Sequence, residues 1–363
     1  MMLGLVGKHD DYLTRTEAFC ALPSTKLIVD EHGNATMCCH QNTPLGNIFR
    51  HDVLDLWRGK LAEEIRHKTA HGDLHPVCRS WNTCPYLNHV RPPKRFEAYA
   101  RRQWPTHLEI CLPVSHCNIG GENPNPDNPA CIMCIRNHDF ERHPPLTDQI
   151  CHSTKHLMPY LRELTVLGIA EPFWKDEVFR VFDMMGFADH ADHVKFSTNT
   201  NGTCWSDSVL DRFFSEVRTS AMSVSIDAAT ADTFIKIRRL DAYDLICRNI
   251  RKFLAMRASR ETHYLAIYNN INLLNVHELV MMVEMAADLG VDELHLLPTH
   301  DQMGRVELGE ILLSDKNVKL FRKHMDLARN RATELQVNLT VGNFFDRPPP
   351  TLLQLGIKRR THG

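Results

Sequence analysis

The chain has almost no net charge with which to attract a partner. Its 42 Lys and Arg stand against 44 Asp and Glu, a formal net charge of -2 over 363 residues. No global basic field therefore argues for nucleic acid or an anionic membrane. Long apolar runs are missing too: no segment approaches the roughly 20 residues of a membrane-spanning helix, and residues 1–8 are too short for a secretory apolar core. These absences predict a cytoplasmic protein with no membrane and no nucleic-acid partner. Internal repeats and low-complexity tracts are also absent. What remains is 43% hydrophobic content in a chain of this length, enough to bury a large core and divide into two domains.

Cysteine, by contrast, is plentiful, with 12 in the chain. Cytosolic thiols are held reduced, so ligation of a metal or cluster explains this number better than disulfides do. Three of them, Cys117, Cys131 and Cys134, share one loop after an apolar strand-like run, in the spacing C-x13-C-x2-C, with no fourth cysteine to complete the set. Three thiolates leave one iron of a 4Fe-4S cluster open to a small molecule. The same three joined by His116 or His138 would close a tetrahedral zinc site. Taken alone, the loop leaves both readings open. Its insert, residues 118–130, is rich in Asn, Pro and Gly and reads as a turn-forming bulge. Cys111, Cys151, Cys204 and Cys247 read as small buried residues of ordinary strands and helices.

From residue 108 onward, short β-rich runs alternate with amphipathic stretches. Strands are expected over residues 108–113, 164–168, 194–198, 221–227, 264–271, 293–298 and 336–341, and helices over 175–185, 243–257, 276–289 and 315–331. This alternation predicts an α/β fold with a parallel sheet and crossover helices, with ligands at the carboxyl ends of the strands. The preceding part differs in character. A hairpin over residues 26–37 turning at His32, Gly33 and Asn34, a helix over 53–67, and Cys20, Cys38, Cys39, Cys78 and Cys84 mark a small α+β domain. The expected division is a tail at 1–15, this domain at 16–90, a Pro- and Arg-containing linker at 91–105, the large domain at 106–345 and a tail at 346–363.

The loop from Cys117 to Cys134 resembles the cluster loop of radical S-adenosylmethionine enzymes, C-x3-C-x2-C, with its first spacing expanded. Met133 stands where that family usually has an aromatic residue. Gly168-Ile169-Ala170-Glu171-Pro172 resembles the family's Gly-Gly-Glu-Pro turn, Thr200-Asn201-Gly202 its Thr-Asn-Gly run, and Ser225-Ile226-Asp227 its Ser-Ile-Asp strand. Arg238, Asn275 and Glu278 fall where relatives carry Arg and Asn-x2-Glu. The resemblance covers about residues 106–300, implies a partial (β/α) barrel, and turns the balance from zinc to iron-sulfur. It implies Cys117, Cys131 and Cys134 as ligands of the open cluster, and Glu171, Thr200, Asn201, Ser225, Asp227 and Arg238 as contacts of S-adenosylmethionine.

A second resemblance lies in the N-terminal part. Cys20-x12-Gly33-x4-Cys38, then Leu45-Gly46-Asn47-Ile48 and Leu54-Asp55-Leu56-Trp57, is similar to the opening of SPASM and twitch auxiliary-cluster modules. Cys78 and Cys84 keep one later spacing, while His75 and Asn88 stand where two further cysteines would be. This implies one closed auxiliary [4Fe-4S] cluster on Cys20, Cys38, Cys78 and Cys84, with His75 an alternative ligand and Cys39 a bystander.

Together the resemblances imply two clusters and an enzyme that cleaves S-adenosylmethionine reductively to a 5'-deoxyadenosyl radical. That radical would abstract a hydrogen atom from a small-molecule or peptide substrate. An electron donor such as flavodoxin or ferredoxin is implied as partner, and the auxiliary cluster would relay electrons or shape the substrate entrance. A methyl- or aminocarboxypropyl-transferring enzyme and a non-catalytic zinc scaffold are the alternatives. With only 19 residues before Cys20, no leader-peptide-binding module is expected, which tilts the substrate towards a small or already processed molecule. Of 22 histidines, only His300, paired with Asp301 beyond the sixth barrel strand, is placed to meet a substrate.

Overall fold

In the computed structural model, the described residues are 20–39, 41, 43–70, 75–79, 101–112, 131–134, 146–168, 171–299 and 309–342. The expected sites Cys117, Cys84, residues 118–130, His116, His138, His300 and Asp301 lie outside them.

The sheet is built by parallel addition. Strands β4 (His107–Leu112), β5 (Glu163–Gly168), β6 (Lys195–Thr200), β7 (Ser220–Ser225), β8 (His263–Ile271), β9 (Glu293–Pro298) and β10 (Leu339–Val341) each pair in parallel with the next. The crossovers carry α4 (Thr147–Thr154), α5 (Glu177–Met185), α6 (Asp207–Glu216), α7 (Ala231–Arg238), α8 (Tyr243–Met256), α9 (Leu279–Leu289) and α10 (Val318–Glu334). This is the expected α/β architecture of a partial (β/α) barrel.

At its other edge the sheet continues into the N-terminal segment. There α1 (Leu22–Thr25) leads into β1 (Lys26–Val29), followed by β2 (Asn34–Thr36), β3 (Gly46–Asn47), α2 (Val53–Arg58) and α3 (Lys60–Ala70). Strand β1 pairs in parallel with β4, while β2 and β3 add antiparallel, giving one ten-stranded order β10-β9-β8-β7-β6-β5-β4-β1-β2-β3. The small α+β part is thus joined to the barrel by backbone hydrogen bonds, and Leu27, Val29, Met37 and Trp57 belong to the same continuous core as the barrel strands.

Local differences from the pattern have local causes. The single helix expected over 53–67 breaks at Gly59, whose extended ψ of 158° closes α2, and α3 restarts one residue later. The helix expected from 175 begins at Glu177, because Lys175 and Asp176 adopt left-handed φ of 52° and 59°. Between sheet and helices lies an aromatic core. Phe213 is fully buried and meets Phe173, Phe196 and Phe253 at centroid distances of 6.2, 6.1 and 5.9 Å. Each such buried ring contributes roughly 1.5–3 kcal/mol of transfer free energy.

Candidate active site at the carboxyl ends of the strands

Strand alternation sorts the side chains. Leu108, Ile110, Leu112, Leu164, Val166, Phe196, Met222, Val224, Leu265, Ile267, Leu294 and Leu296 face the helices and form the core. The alternate positions face the barrel interior, and many of them are polar or charged. Lys26 pairs with Glu109, His107 bonds Thr165 at 2.7 Å, and Glu163 holds Lys195 at 3.1 Å and Ser197. Glu293 accepts from Tyr264 and Thr340 and lies 2.9 Å from His295 Nε2. Burial alone would raise the Glu293 pKa, but these three neighbours outweigh it and hold the carboxyl down at about 2. Sequence reasoning missed this wall. Its signal was the alternation itself, since strands of a parallel sheet buried on both faces normally read as continuous apolar runs. Cys111, expected in the core, is instead half-buried on the interior face, its thiol 4.0 Å from Glu109. Desolvation and the Glu109 charge push its pKa well up.

Two clusters of the expected residues form where β5, β6 and β7 end. The first is centred on Glu171, which is 1% exposed. Its Oε1 accepts from the Thr200 hydroxyl at 2.7 Å and the Phe173 amide at 3.2 Å, and its Oε2 from the Asn201 amide at 2.7 Å. Desolvation dominates these donors and raises the carboxyl pKa to about 7. One lone pair on Oε2 remains for a further donor. Thr200 also accepts from Gly202 N at 3.0 Å, and Asn201 Oδ1 is engaged by Thr203 at 2.9 and 2.6 Å. The backbone reaches this corner only because Gly168 stands at φ 140°, where a Cβ would sit 2.5 Å from Leu112 O.

The second cluster is centred on Asp227, fully buried and left-handed at φ 63°. Its amide donates to Asn269 Oδ1 at 2.8 Å, its Oδ1 accepts from both nitrogens of Asn270, and its Oδ2 pairs with Arg238. The Arg238 Nη1 reaches the Cys131 thiol at 3.8 Å. Burial works against the Arg238 charge, but Asp227 and Cys131 overcome it and hold its pKa above the ordinary value. The Cys131–Cys134 turn, closed by Cys134 N to Cys131 O at 2.8 Å, is also tied to the end of α7 by Ile132 N to Ile237 O at 3.0 Å. The Arg238 charge also acts on Glu171, so the two clusters share one field.

Other expected residues serve this frame. Ser225 and Ser223 both donate to Asn199 Oδ1, at 3.2 and 3.0 Å. Asn275 donates to the carbonyls of Asp227 and Asn270 at 2.7 and 2.9 Å, and Glu278 accepts from Ala229 N and Thr230, so both clamp the loop after β7. Cys151 is fully buried in the core, and Cys247 packs there on α8. In the N-terminal segment Cys20 is buried, and Cys38 and Cys78 are half-buried. His75 accepts from Val77 N at 3.3 Å through Nδ1 and faces Glu64 at 3.8 Å through Nε2, so both ring nitrogens point at protein.

Comparison with known proteins bears on this segment first. Residues 20–85 match the SPASM iron-sulfur cluster-binding domain. That match falls on the segment expected to hold the auxiliary module. No curated protein matches the chain. Similar solved structures include Streptococcus suis SuiB bound to S-adenosylmethionine, 12% identical with a TM-score of 0.47, over 69% of this chain and 56% of that one. SuiB bound to its precursor peptide SuiA aligns over 88% of this chain and 71% of that one, at 11% identity and a TM-score of 0.48. A radical SAM methyltransferase from Sphaerobacter thermophilus aligns over 66% of each chain, at 16% identity and a TM-score of 0.43. The chain thus spans little more than half of the first SuiB structure. Among the described residues, no helix is long and apolar enough to cross a membrane.

Proposed function

We propose that the chain is a radical S-adenosylmethionine enzyme. Its open [4Fe-4S] cluster would be held by Cys117, Cys131 and Cys134, and its auxiliary cluster by Cys20, Cys38, Cys78 and Cys84. The observation that supports this most is the Cys131–Arg238–Asp227 chain of contacts. It fixes a cysteine turn, and a buried cation beside its thiol, at the strand ends where Glu171 gathers. The Arg238 Nε is buried with no hydrogen-bond partner, a donor left over for a bound molecule.

A cluster held by those three cysteines would supply the electron for reductive cleavage of S-adenosylmethionine, and the substrate, a small molecule or peptide, would give up a hydrogen atom. The residues bind and orient. Glu171, with its remaining lone pair, accepts from the methionine ammonium. Asp227 and Arg238 fix the cysteine turn, and Asn199, Ser223 and Ser225 present a polar rim. Flavodoxin or ferredoxin would be the electron source.

Anaerobic reconstitution with iron and sulfide should give about eight irons per chain, as two 4Fe-4S clusters require. Dithionite with S-adenosylmethionine should then release 5'-deoxyadenosine, and Cys117→Ala should abolish that release. Zinc without acid-labile sulfide would overturn the proposal, and fragments other than 5'-deoxyadenosine would redirect it to group transfer.

A further inference from the structure

Arg238 is an unusual choice for a residue whose only task is to hold a cosubstrate. Its guanidinium is already committed to the protein on two sides. Nη2 is paired with the fully buried Asp227 carboxylate, and Nη1 lies 3.8 Å from Cys131 Sγ, within reach of an N–H to sulfur hydrogen bond. The carboxylate is itself immobilised, since Asn269 holds its backbone amide and both nitrogens of Asn270 hold its Oδ1. Asn275 locks the Asp227 carbonyl at 2.7 Å. From the other direction, the Ile132 amide binds the Ile237 carbonyl at 3.0 Å, so the residues following Cys131 and preceding Arg238 are joined through backbone. Sulfur, cation and carboxylate therefore form one fixed line, most of it out of water.

We infer that Arg238 is a positioning residue for the electronics of the open cluster: through Cys131 it raises the potential at which that cluster accepts its electron, and Asp227 limits the rise. This rests on the reading of Cys131 as a cluster ligand. The physical basis is general. Reduction adds one negative charge to a group already carrying thiolates, and hydrogen bonds and cations at the sulfurs stabilise the reduced form. In a poorly solvated site such a cation is weakly screened. A buried carboxylate behind the cation opposes it, so the two members of the pair should act with opposite sign.

That sign difference is the test. In anaerobically reconstituted full-length protein, the reduced cluster is followed by electron paramagnetic resonance against a poised dithionite or dye potential. The open cluster is recognised as the signal that changes when S-adenosylmethionine is added. Arg238→Met should lower the ratio of reduced to oxidised open cluster at fixed potential by about tenfold, or about 59 mV for a one-electron couple. Asp227→Asn, which keeps shape and removes the opposing charge, should raise the ratio. Arg238→Lys keeps the charge and loses the fork, so its ratio should fall between wild type and Arg238→Met. The auxiliary signal serves as an internal control and should stay within about twofold. Because Asp227→Asn leaves a buried cation unpaired and can unfold the chain, the Lys and Met variants carry the test if it does.

Ratios within twofold of wild type in Arg238→Met, with iron content intact, would overturn the inference. So would shifts of the same sign in Arg238→Met and Asp227→Asn, which is the mark of a merely structural pair. A wild-type protein with no S-adenosylmethionine-responsive signal, or a Cys131→Ala protein that retains one, would instead overturn the ligand assignment beneath it.

Discussion

Glu171→Gln separates the two forces that act on the first cluster. In the wild type, desolvation lifts the carboxyl from an ordinary 4.5 to about 7. A raised acid pKa means that the folded protein binds a proton the unfolded chain has released. Its stability therefore falls as pH climbs from about 4.5 to about 7, by roughly 1.4 kcal/mol per unit, and is level above that. Glutamine cannot titrate, so it escapes this loss. It has its own cost: Oε1 of Glu171 accepts two donors and Oε2 one, and an amide nitrogen at either place faces a backbone N–H. One buried donor is orphaned, at about 1–3 kcal/mol. The variant should therefore be less stable than wild type by about 1–3 kcal/mol below about pH 4.5, and by about 1.4 kcal/mol less than that near pH 5.5. Near pH 8 its deficit should shrink by about 2 kcal/mol, the span of the titration still ahead at pH 5.5. Urea midpoints of reconstituted protein at the two pH values measure the change, and taking the difference from wild type cancels every other titrating group. A deficit equal at both values within about 0.5 kcal/mol would refute the desolvated, titrating Glu171 on which the reasoning rests.

Gly168→Ala should lower the urea midpoint by the equivalent of about 2–4 kcal/mol and reduce iron uptake. It combines a disfavoured φ with a Cβ 2.5 Å from Leu112 O, a backbone atom that cannot step aside. Phe213→Ala should cost about 3–5 kcal/mol in the same measurement, since the ring is fully buried among Phe173, Phe196 and Phe253. Its iron content after reconstitution should stay near wild type, because this core lies on the helix side of the sheet.

Much of the sheet was legible because its signal is local. The alternation of β runs with amphipathic helices predicts β5 to β9 to within two residues at each end, and the Cys20–Gly33–Cys38 spacing picks out the segment that matches the SPASM domain. Boundaries set by a few dihedrals were not legible: Gly59 could sit in a helix, and nothing in Lys175 or Asp176 announces a left-handed turn. Long-range pairing was the least legible. Cys131 and Arg238 are 107 positions apart, and only the stacking of β4 to β7 brings the cysteine loop to the end of α7. The interior wall was hidden for another reason. His107, Glu109, Glu163, Lys195, Glu293 and His295 alternate with apolar residues along their strands, a pattern equally compatible with a solvent-facing sheet. Only their mutual pairing across the barrel distinguishes the two.

The register of β1 has a consequence for the module it carries. Lys26 lies opposite His107, so β1 starts level with the amino end of β4. Thr36 of β2 lies opposite Ile28, with the chain running back towards that same end. Cys20, which enters through α1, and Cys38, two residues past Thr36, therefore lie towards the amino-terminal end of the sheet. Cys131, Arg238 and Asp227 lie at its carboxyl end. Strand β4 has six residues, a rise of about 20 Å, and the two groups of residues lie towards opposite ends of it. Between the ends runs the interior wall, to which the module contributes Lys26, locked to Glu109. The N-terminal segment is thus built into the barrel sheet through the strand that supplies the wall its first charge.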